Sequence, residues 1–322
     1  MKPSRALTWA VLALLILIWS TTWAVIRVGL RGIPPFTGVA LRFAIASALL
    51  LALAPVFGVR LGRQPHELRI WWINTFLTFT IPYGILYWSE QWLPSGLAAV
   101  IFAITPLVTA LAAHFALPAE RLTARSILGV LVGFGGIAVL YSGDFQSLGG
   151  GQVARAAAVM LIAPVCAALS NVAVKRWGGG IHPLSIGAVP MAATAALMGA
   201  LAWLVERGRP VTFNTPAVLS LLYLGLIGSA LPFTLYFWLL RRQSATGMAM
   251  INYATPVLAV AIGTFFLDEP FTLRIVLGSA LVLLGVGLAI NKGKRSPATE
   301  DQSQAIEDRG PVIEDRSPST QD

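Results

Sequence analysis

Four prolines stand where a helical chain tolerates them least. Pro82, Pro106, Pro232 and Pro256 each lie inside a long apolar run. A proline in a helix interior has no N–H to donate and clashes with the preceding turn, at a cost of about 3 kcal/mol in water. In lipid the freed carbonyl needs another partner, so broken backbone is tolerated where it faces protein or a wet cavity. The four residues are therefore expected to break their helices and to act as gates around a central cavity. The alternative is four static kinks that only shape packing. Polar and aromatic side chains gather on the same runs and their neighbours: Trp19, Ser20, Asn74, Thr78, Tyr83, Tyr87, Thr105, Ser170, Asn171, Asn252, Tyr253 and Thr255. Hydrogen-bonding groups and rings of this kind suit an amphipathic small molecule. Taken one at a time, they also serve as joints between membrane helices.

Two charges extend the pattern. Arg42 lies within an apolar run, where a charge costs about 2.5 to 3.5 kcal/mol on insertion scales. Glu90 closes another run at a similar expected depth. They are a candidate charge pair, or Arg42 meets an anionic group of a substrate; otherwise Arg42 snorkels outward to headgroups. Glu90 is also the one carboxylate near an apolar run to consider for proton coupling, since Glu120, Asp144, Asp268 and Glu269 fall in connecting segments.

Other chemistries find little footing. The three histidines, His66, His114 and His182, show no metal-ligand spacing, and His114 reads as a packed polar residue. The single cysteine, Cys166, lies in an apolar run and permits no internal disulfide or cysteine metal site. No GxxxxGK[ST] loop is present, so ATP-driven pumping by this chain alone is not expected. No nucleophile, base or metal constellation suggests an enzyme, and neither a cofactor nor a metal is expected.

The elements that must carry these residues follow from composition. The chain has 322 residues, 56% hydrophobic and 11% charged. A soluble domain carries roughly 25% charged residues, so a chain this apolar has lipid as its solvent. Ten apolar segments recur near the roughly 20 residues that cross a bilayer core. They run 7–28, 36–57, 70–89, 96–117, 126–141, 154–174, 184–205, 216–240, 245–267 and 273–290. The runs are continuous rather than alternating, which argues for helices over strands. Lys2 and Arg5 followed by an apolar run resemble a signal peptide. No small-residue cleavage site follows, so the run is expected to be a retained first helix.

The formal charge of +9 does not point to nucleic acid, because the basic residues sit in short clusters between apolar runs. With the N-terminus inside, fourteen of them fall on the inner side and six (Arg27, Arg31, Arg155, Arg207, Arg209 and Arg274) on the outer. The positive-inside rule then places both termini in the cytoplasm. From Asn291 the chain turns polar and holds a near-repeat, IEDRGP at 306–311 and IEDRSP at 313–318. This tail is expected to be disordered.

The two halves of the chain match at an offset of about 150 residues. Ile81-Pro82-Tyr83 aligns with Leu231-Pro232-Phe233, Trp88 with Trp238, and Thr105-Pro106 with Thr255-Pro256. After one deletion Glu120 meets Glu269, Gly129 meets Gly278 and Gly136 meets Gly285. Five spans per half is an odd number, so the second half must enter the membrane upside down. The expected fold is thus an all-α membrane protein whose ten transmembrane helices form two five-helix inverted-topology repeats, a construction common among secondary transporters. The repeats are expected at residues 1–143 and 144–291, with the tail at 292–322. Gly129 and Gly133 form a GxxxG pair, and Gly278, Gly285 and Gly287 line the last segment. Such glycines join the halves, or join two protomers in a homodimer.

The chain resembles the EamA-type family of the drug/metabolite transporter superfamily. The resembling residues are Trp19-Ser-Thr-Thr22, Arg42-Phe43 and the stretch from Trp88 to Ala99 leading to Pro106. Glu120 and the glycines from Gly129 follow, and Asn252 to Pro256, Glu269 and Gly278 repeat the theme. The second half departs from the first: it has no counterpart to Arg42, where Pro190 falls nearby, or to Glu90-Gln91. The resemblance implies a ten-helix bundle in the inner membrane that moves small metabolites such as amino acids, often outward, without a cofactor. A multidrug-type efflux carrier of the same fold is the alternative within the family. An integral membrane enzyme or a scaffold is the alternative outside it. The expected partners are a small-molecule substrate and membrane lipid.

Overall fold

The computed structural model describes residues 5–59, 61–62, 64–116, 123–141, 150–240, 245–269 and 272–290. Within these, the side chains of residues 5, 137, 140–141, 245–250, 252–253, 286 and 289–290 lie outside the described residues. So do the tail, with its near-repeat, and Glu120 and Asp144.

Among the described residues every regular element is helical. The first half holds α1 (Arg5–Gly29), α2 (Pro35–Val56), α3 (Pro65–Ile73), π1 (Asn74–Thr80), α4 (Ile81–Ser89), α5 (Ser95–Phe102), α6 (Thr105–Ala116) and α7 (Ala124–Tyr141). The second holds α8 (Gly151–Met160), α9 (Ile162–Trp177), α10 (Pro183–Val205), α11 (Thr215–Leu222), π2 (Tyr223–Ala230), α12 (Leu231–Leu240), α13 (Ala245–Leu267) and α14 (Leu273–Ile290). Among the described residues six helical spans, two of them interrupted by a short turn, are long and apolar enough to cross a bilayer: Ala6–Gly29, Pro35–Val56, Ser95–Ala116, Gly151–Trp177, Pro183–Val205 and Thr215–Leu240. Shorter apolar helices cover Ala124–Gly136, Ala254–Leu267 and Leu273–Gly285. The run from α3 through α4 is helical throughout but carries Asn74, Thr75, Thr78 and Thr80 midway. Large apolar side chains such as Phe115, Phe265, Phe266, Leu277 and Leu284 stand exposed on the outside of the bundle. An apolar perimeter of this extent requires lipid, and the chain is a multi-pass membrane protein.

Local chemistry sets the helix ends. Proline opens α2 and α3 at the first helical position, where its missing N–H costs nothing. Asn214 starts α11 by accepting the Ala217 amide at 3.0 Å. The interior prolines behave in three ways. Pro82 and Pro232 each stand second in a helix that follows a π-helical stretch. Extra residues per turn absorb the mismatch a proline imposes, so the axis stays continuous while the hydrogen-bond register slips. Pro106 follows a true interruption at Ala103–Ile104, between α5 and α6. The break expected at Pro256 is absent, because α13 runs from Ala245 to Leu267 straight through it. A further break, not expected from the sequence, falls at Leu161, three residues before Pro164. The amide that would have bonded Met160 belongs to that proline.

The glycines settle their own question. A Cβ on Gly285 would lie 2.3 Å from the Gly133 amide nitrogen and 2.5 Å from the Gly129 carbonyl oxygen. One on Gly136 would lie 2.8 Å from the Gly278 carbonyl oxygen. Backbone meets backbone there, so these glycines weld α7 to α14 inside one chain. The sequence had left open a role between protomers, and this face is already occupied.

Candidate functional site

Arg42 is the centre of the described polar interior. It is 1% exposed, so it does not snorkel to the surface. Its Nε donates to Ser229 Oγ at 2.7 Å and its Nη2 to the Gly228 carbonyl at 3.0 Å, both on π2. Nη1 lies 3.4 Å from the Tyr87 hydroxyl, which accepts weakly. The guanidinium rests over the Tyr83 ring, 4.7 Å from its centroid. Local backbone explains the Gly228 contact. The amide an α-helix would offer that carbonyl belongs to Pro232, which has none. Arg42 thus satisfies an acceptor that the proline frees. Glycine at 228 leaves room: a Cβ there would stand 3.6 Å from Nη2 and 3.0 Å from the Thr22 methyl.

Aromatic rings continue outward from the guanidinium. Phe43 and Phe79 meet edge to face at 5.2 Å, Phe43 and Tyr83 at 4.9 Å, and Phe79 and Phe233 at 4.9 Å. Phe233 leads to Trp19 at 5.6 Å, and Trp19 to Tyr236 at 5.4 Å. The Tyr236 hydroxyl donates to Asn171 Oδ1 at 3.3 Å. The Trp19 Nε1–H lies buried among these rings without a hydrogen-bond partner. An indole N–H left so is costly unless something comes to accept from it.

A polar knot adjoins the rings. Thr78 donates to Asn74 Oδ1 at 2.8 Å, and Ser170 donates to the same oxygen at 2.7 Å. The two hydroxyls lie 2.6 Å apart. Asn74 Nδ2 reaches the Ile186 carbonyl at 3.4 Å, so π1, α9 and α10 meet here.

The structure therefore links Trp19, Arg42, Tyr83, Tyr87 and Asn171 through the rings, and joins Asn74 and Thr78 with Ser170 in a second group that meets the first along the chain at Thr78–Phe79 and Ser170–Asn171. Thr105 spans the interruption between α5 and α6, donating to the Phe102 carbonyl at 2.6 Å. The Thr255 hydroxyl is buried without a partner. Asn252 and Tyr253 lie on α13, and their side chains are outside the described residues. Arg42 and Glu90 form no direct ion pair. Arg42 takes neutral oxygens instead, and both Glu90 carboxyl oxygens are buried without a hydrogen bond. Sequence reasoning missed Ser229, Gly228, Phe79, Phe233 and Tyr236. Of these, only Phe233 carried a signal, as the repeat partner of Tyr83.

A second group of charges ties the ends of the helices. The Glu206 carboxylate accepts the Phe36 amide at 2.8 Å, the Thr37 amide at 2.9 Å and the Thr37 hydroxyl at 2.7 Å. The Glu269 carboxylate accepts the Ser95 amide at 2.7 Å, the Ser95 hydroxyl at 2.9 Å and the Gly96 amide at 3.2 Å. Each carboxylate caps a helix that begins just after a proline and so has no capping side chain of its own. Arg27 Nε lies 3.5 Å from Glu269. Its Nη1 donates to the backbone carbonyls of Glu90, at 2.7 Å, and of Leu93. No metal-holding group of three His, Cys, Asp or Glu occurs among the described residues.

Comparison with known proteins places this geometry. The model of the EamA-like transporter family matches residues 6–142 and again residues 154–291. The chain is 28% identical over 298 residues to the "uncharacterized inner membrane transporter YedA" of Escherichia coli, covering 90% of this chain and 94% of that protein. It is 26% identical over 270 residues to the "uncharacterized transporter YoaV" of Bacillus subtilis, covering 84% and 92%. A solved crystal structure shares the fold with a TM-score of 0.66 at 23% identity, over 89% of this chain and 97% of the other. This chain belongs to the EamA-like transporter family.

Proposed function

We propose that this membrane transporter moves small metabolites that carry a carboxylate, such as amino acids, outward across the inner membrane by alternating access. The observation that carries the proposal is the cluster around Arg42. A buried guanidinium held only by neutral oxygens and a ring face keeps most of its charge uncompensated. The unpartnered Trp19 N–H and the half-buried rings beside it add a donor and an apolar wall. Together they suit an anionic group attached to an amphipathic body. The same charge disfavours the cationic solutes of a multidrug carrier. The transporter names of the relatives favour a carrier over an enzyme or a scaffold.

Alternating access is commonly built from two similar units of opposite orientation. Ten transmembrane helices in two inverted five-helix repeats, with both termini cytoplasmic, would supply them. Several observations support that arrangement. The family model matches twice, once in each half. π1 and π2 precede the aligned Ile81-Pro82 and Leu231-Pro232. The contact of Gly136 with Gly278 maps, under the sequence alignment, onto that of Gly285 with Gly129. A two-fold axis between α7 and α14 produces such reciprocity.

Uptake into proteoliposomes tests the proposal, using a panel of amino acids and cationic drugs with and without a pH gradient. Accumulation of at least one carboxylate-bearing solute is expected. Movement of cationic drugs alone would reverse the substrate assignment, and a folded, inserted protein that moves nothing on the panel would count against transport of this class.

A further inference from the structure

Glu90 is the described charge whose surroundings are least complete. It follows the last turn of α4, with its amide bonded to the Leu86 carbonyl at 2.9 Å. It is 1% exposed, and neither carboxyl oxygen has a hydrogen-bond partner. A carboxylate buried this way loses its hydration and gains no hydrogen bond, a penalty of several kcal/mol. The protonated acid avoids most of that penalty.

The nearby charges are already committed. Those acting on Glu90 are Arg27 from α1, Arg42 from α2 and Glu269 from the connection between α13 and α14. Tyr87, one turn earlier on its own helix, is engaged by Arg42. On α8, which receives the neighbouring Ser89 hydroxyl at the Ala156 carbonyl, the charged residue is Arg155, and it is exposed. Arg27 is the pivot. Its Nη1 sits on the backbone carbonyl of Glu90, while its Nε faces the carboxylate of Glu269. One guanidinium thus rests on the backbone of one glutamate and serves the carboxylate of the other. The one it serves caps α5 and ties α1 to the α13–α14 connection.

We propose that Glu90 is a proton-binding site whose occupancy selects the carboxylate partner of Arg27. With the proton on Glu90, Arg27 pairs with Glu269 and the tie between α1, α5 and the α13–α14 connection is closed, as observed. When Glu90 releases its proton to water, the new carboxylate competes for the guanidinium already resting on its own carbonyl. Glu269 then loses its cation and the tie loosens. For a transporter, and resting on that function, such a switch links a proton to the opening of one end of the bundle. The proton chemistry itself does not depend on which solute is carried.

The test uses the full chain in lipid nanodiscs without any solute, so it stands apart from flux. Spin labels go on Arg31→Cys and Leu273→Cys in a Cys166→Ala background. Distances between them are read from about pH 5 to about pH 9, the range in which buried glutamates titrate. A shift toward longer distances as pH rises is expected, with the slope of one proton. Glu90→Gln is expected to abolish the shift and hold the short distance. Glu269→Gln is expected to give the long distance at every pH. Distances independent of pH in the otherwise unmodified protein would overturn the proposal. So would a pH shift retained in Glu90→Gln, or one driven at fixed pH by exchanging sodium for potassium. If Glu90→Gln does not fold, infrared titration of the unmodified chain decides. An un-ionised carboxyl band at neutral pH that vanishes on alkalinisation is expected, and its absence would refute the site.

Discussion

Replacing Arg42 by methionine separates a structural arginine from one that waits for a ligand. The substitution removes two short hydrogen bonds from a charged donor, at about 1.5 to 3 kcal/mol each, and a ring contact of about 2 kcal/mol. It leaves the Gly228 carbonyl without the partner that Pro232 denies it. Against these losses, roughly 5 to 8 kcal/mol together, stands the desolvation cost of a buried guanidinium with no carboxylate, itself several kcal/mol. The two sides nearly cancel, and methionine fills a similar volume with apolar contact. Arg42→Met is therefore expected to insert and to unfold within about 3 kcal/mol of the unmodified protein. Its transport of a carboxylate-bearing solute is expected to fall at least about tenfold, the equivalent of one lost charge-assisted bond. Arg42→Lys keeps the charge but not the planar fork, and should recover stability without full transport. Thermal unfolding in detergent and flux in proteoliposomes read the two effects separately. A strongly destabilised Arg42→Met whose surviving folded fraction transports normally would refute the assignment of this charge to substrate.

Three other perturbations follow from the same geometry. Gly285→Val drives a side chain into the Gly129–Gly133 backbone, and is expected to loosen α7 from α14 at a cost of at least about 1 to 3 kcal/mol, seen as a lower unfolding midpoint. Glu206→Ala removes three hydrogen bonds from the start of α2 and should cost about 1 to 3 kcal/mol, where Glu206→Gln recovers part of the loss. Trp19→Phe keeps the ring contacts with Phe233 and Tyr236 but deletes the unpartnered N–H. It is expected to leave stability unchanged and to weaken the apparent affinity for solute, measured as a raised half-saturating concentration.

How far the sequence could be read depended on the range of each signal. Among the described residues the apolar runs emerge as helix, interrupted at Ala103–Ile104 and at Leu161, because burial in lipid and a satisfied backbone act along a single segment. The glycines of α7 and α14 were legible as close-packing residues for the same reason. The caps were not. Glu206 meets Phe36 and Thr37, and Glu269 meets Ser95, across more than half the chain, and each acid reads locally as a solvated loop residue. Arg27 counted only as one outer basic residue, although its two ends bind different elements. Tyr236 was hidden in an unbroken apolar stretch, LPFTLYFWLL, where one phenol carries no periodicity. Pro256 misled in the other direction. It matches Pro106 in the repeat, yet α13 continues through it where α5 and α6 part. Repeat position fixes which residue is present but not how each half relaxes around it.

A solute path through the Trp19–Tyr236 cluster is tested most directly by water access. Cysteines placed singly at Thr78 and Asn171, in a Cys166→Ala background, would be exposed to a membrane-impermeant maleimide in right-side-out and inside-out vesicles. Both positions are expected to label from either side of the membrane, and a transported solute is expected to slow the reaction. If neither labels from any side, while a cysteine at Arg31 labels from one, the interior is sealed and no path runs through it.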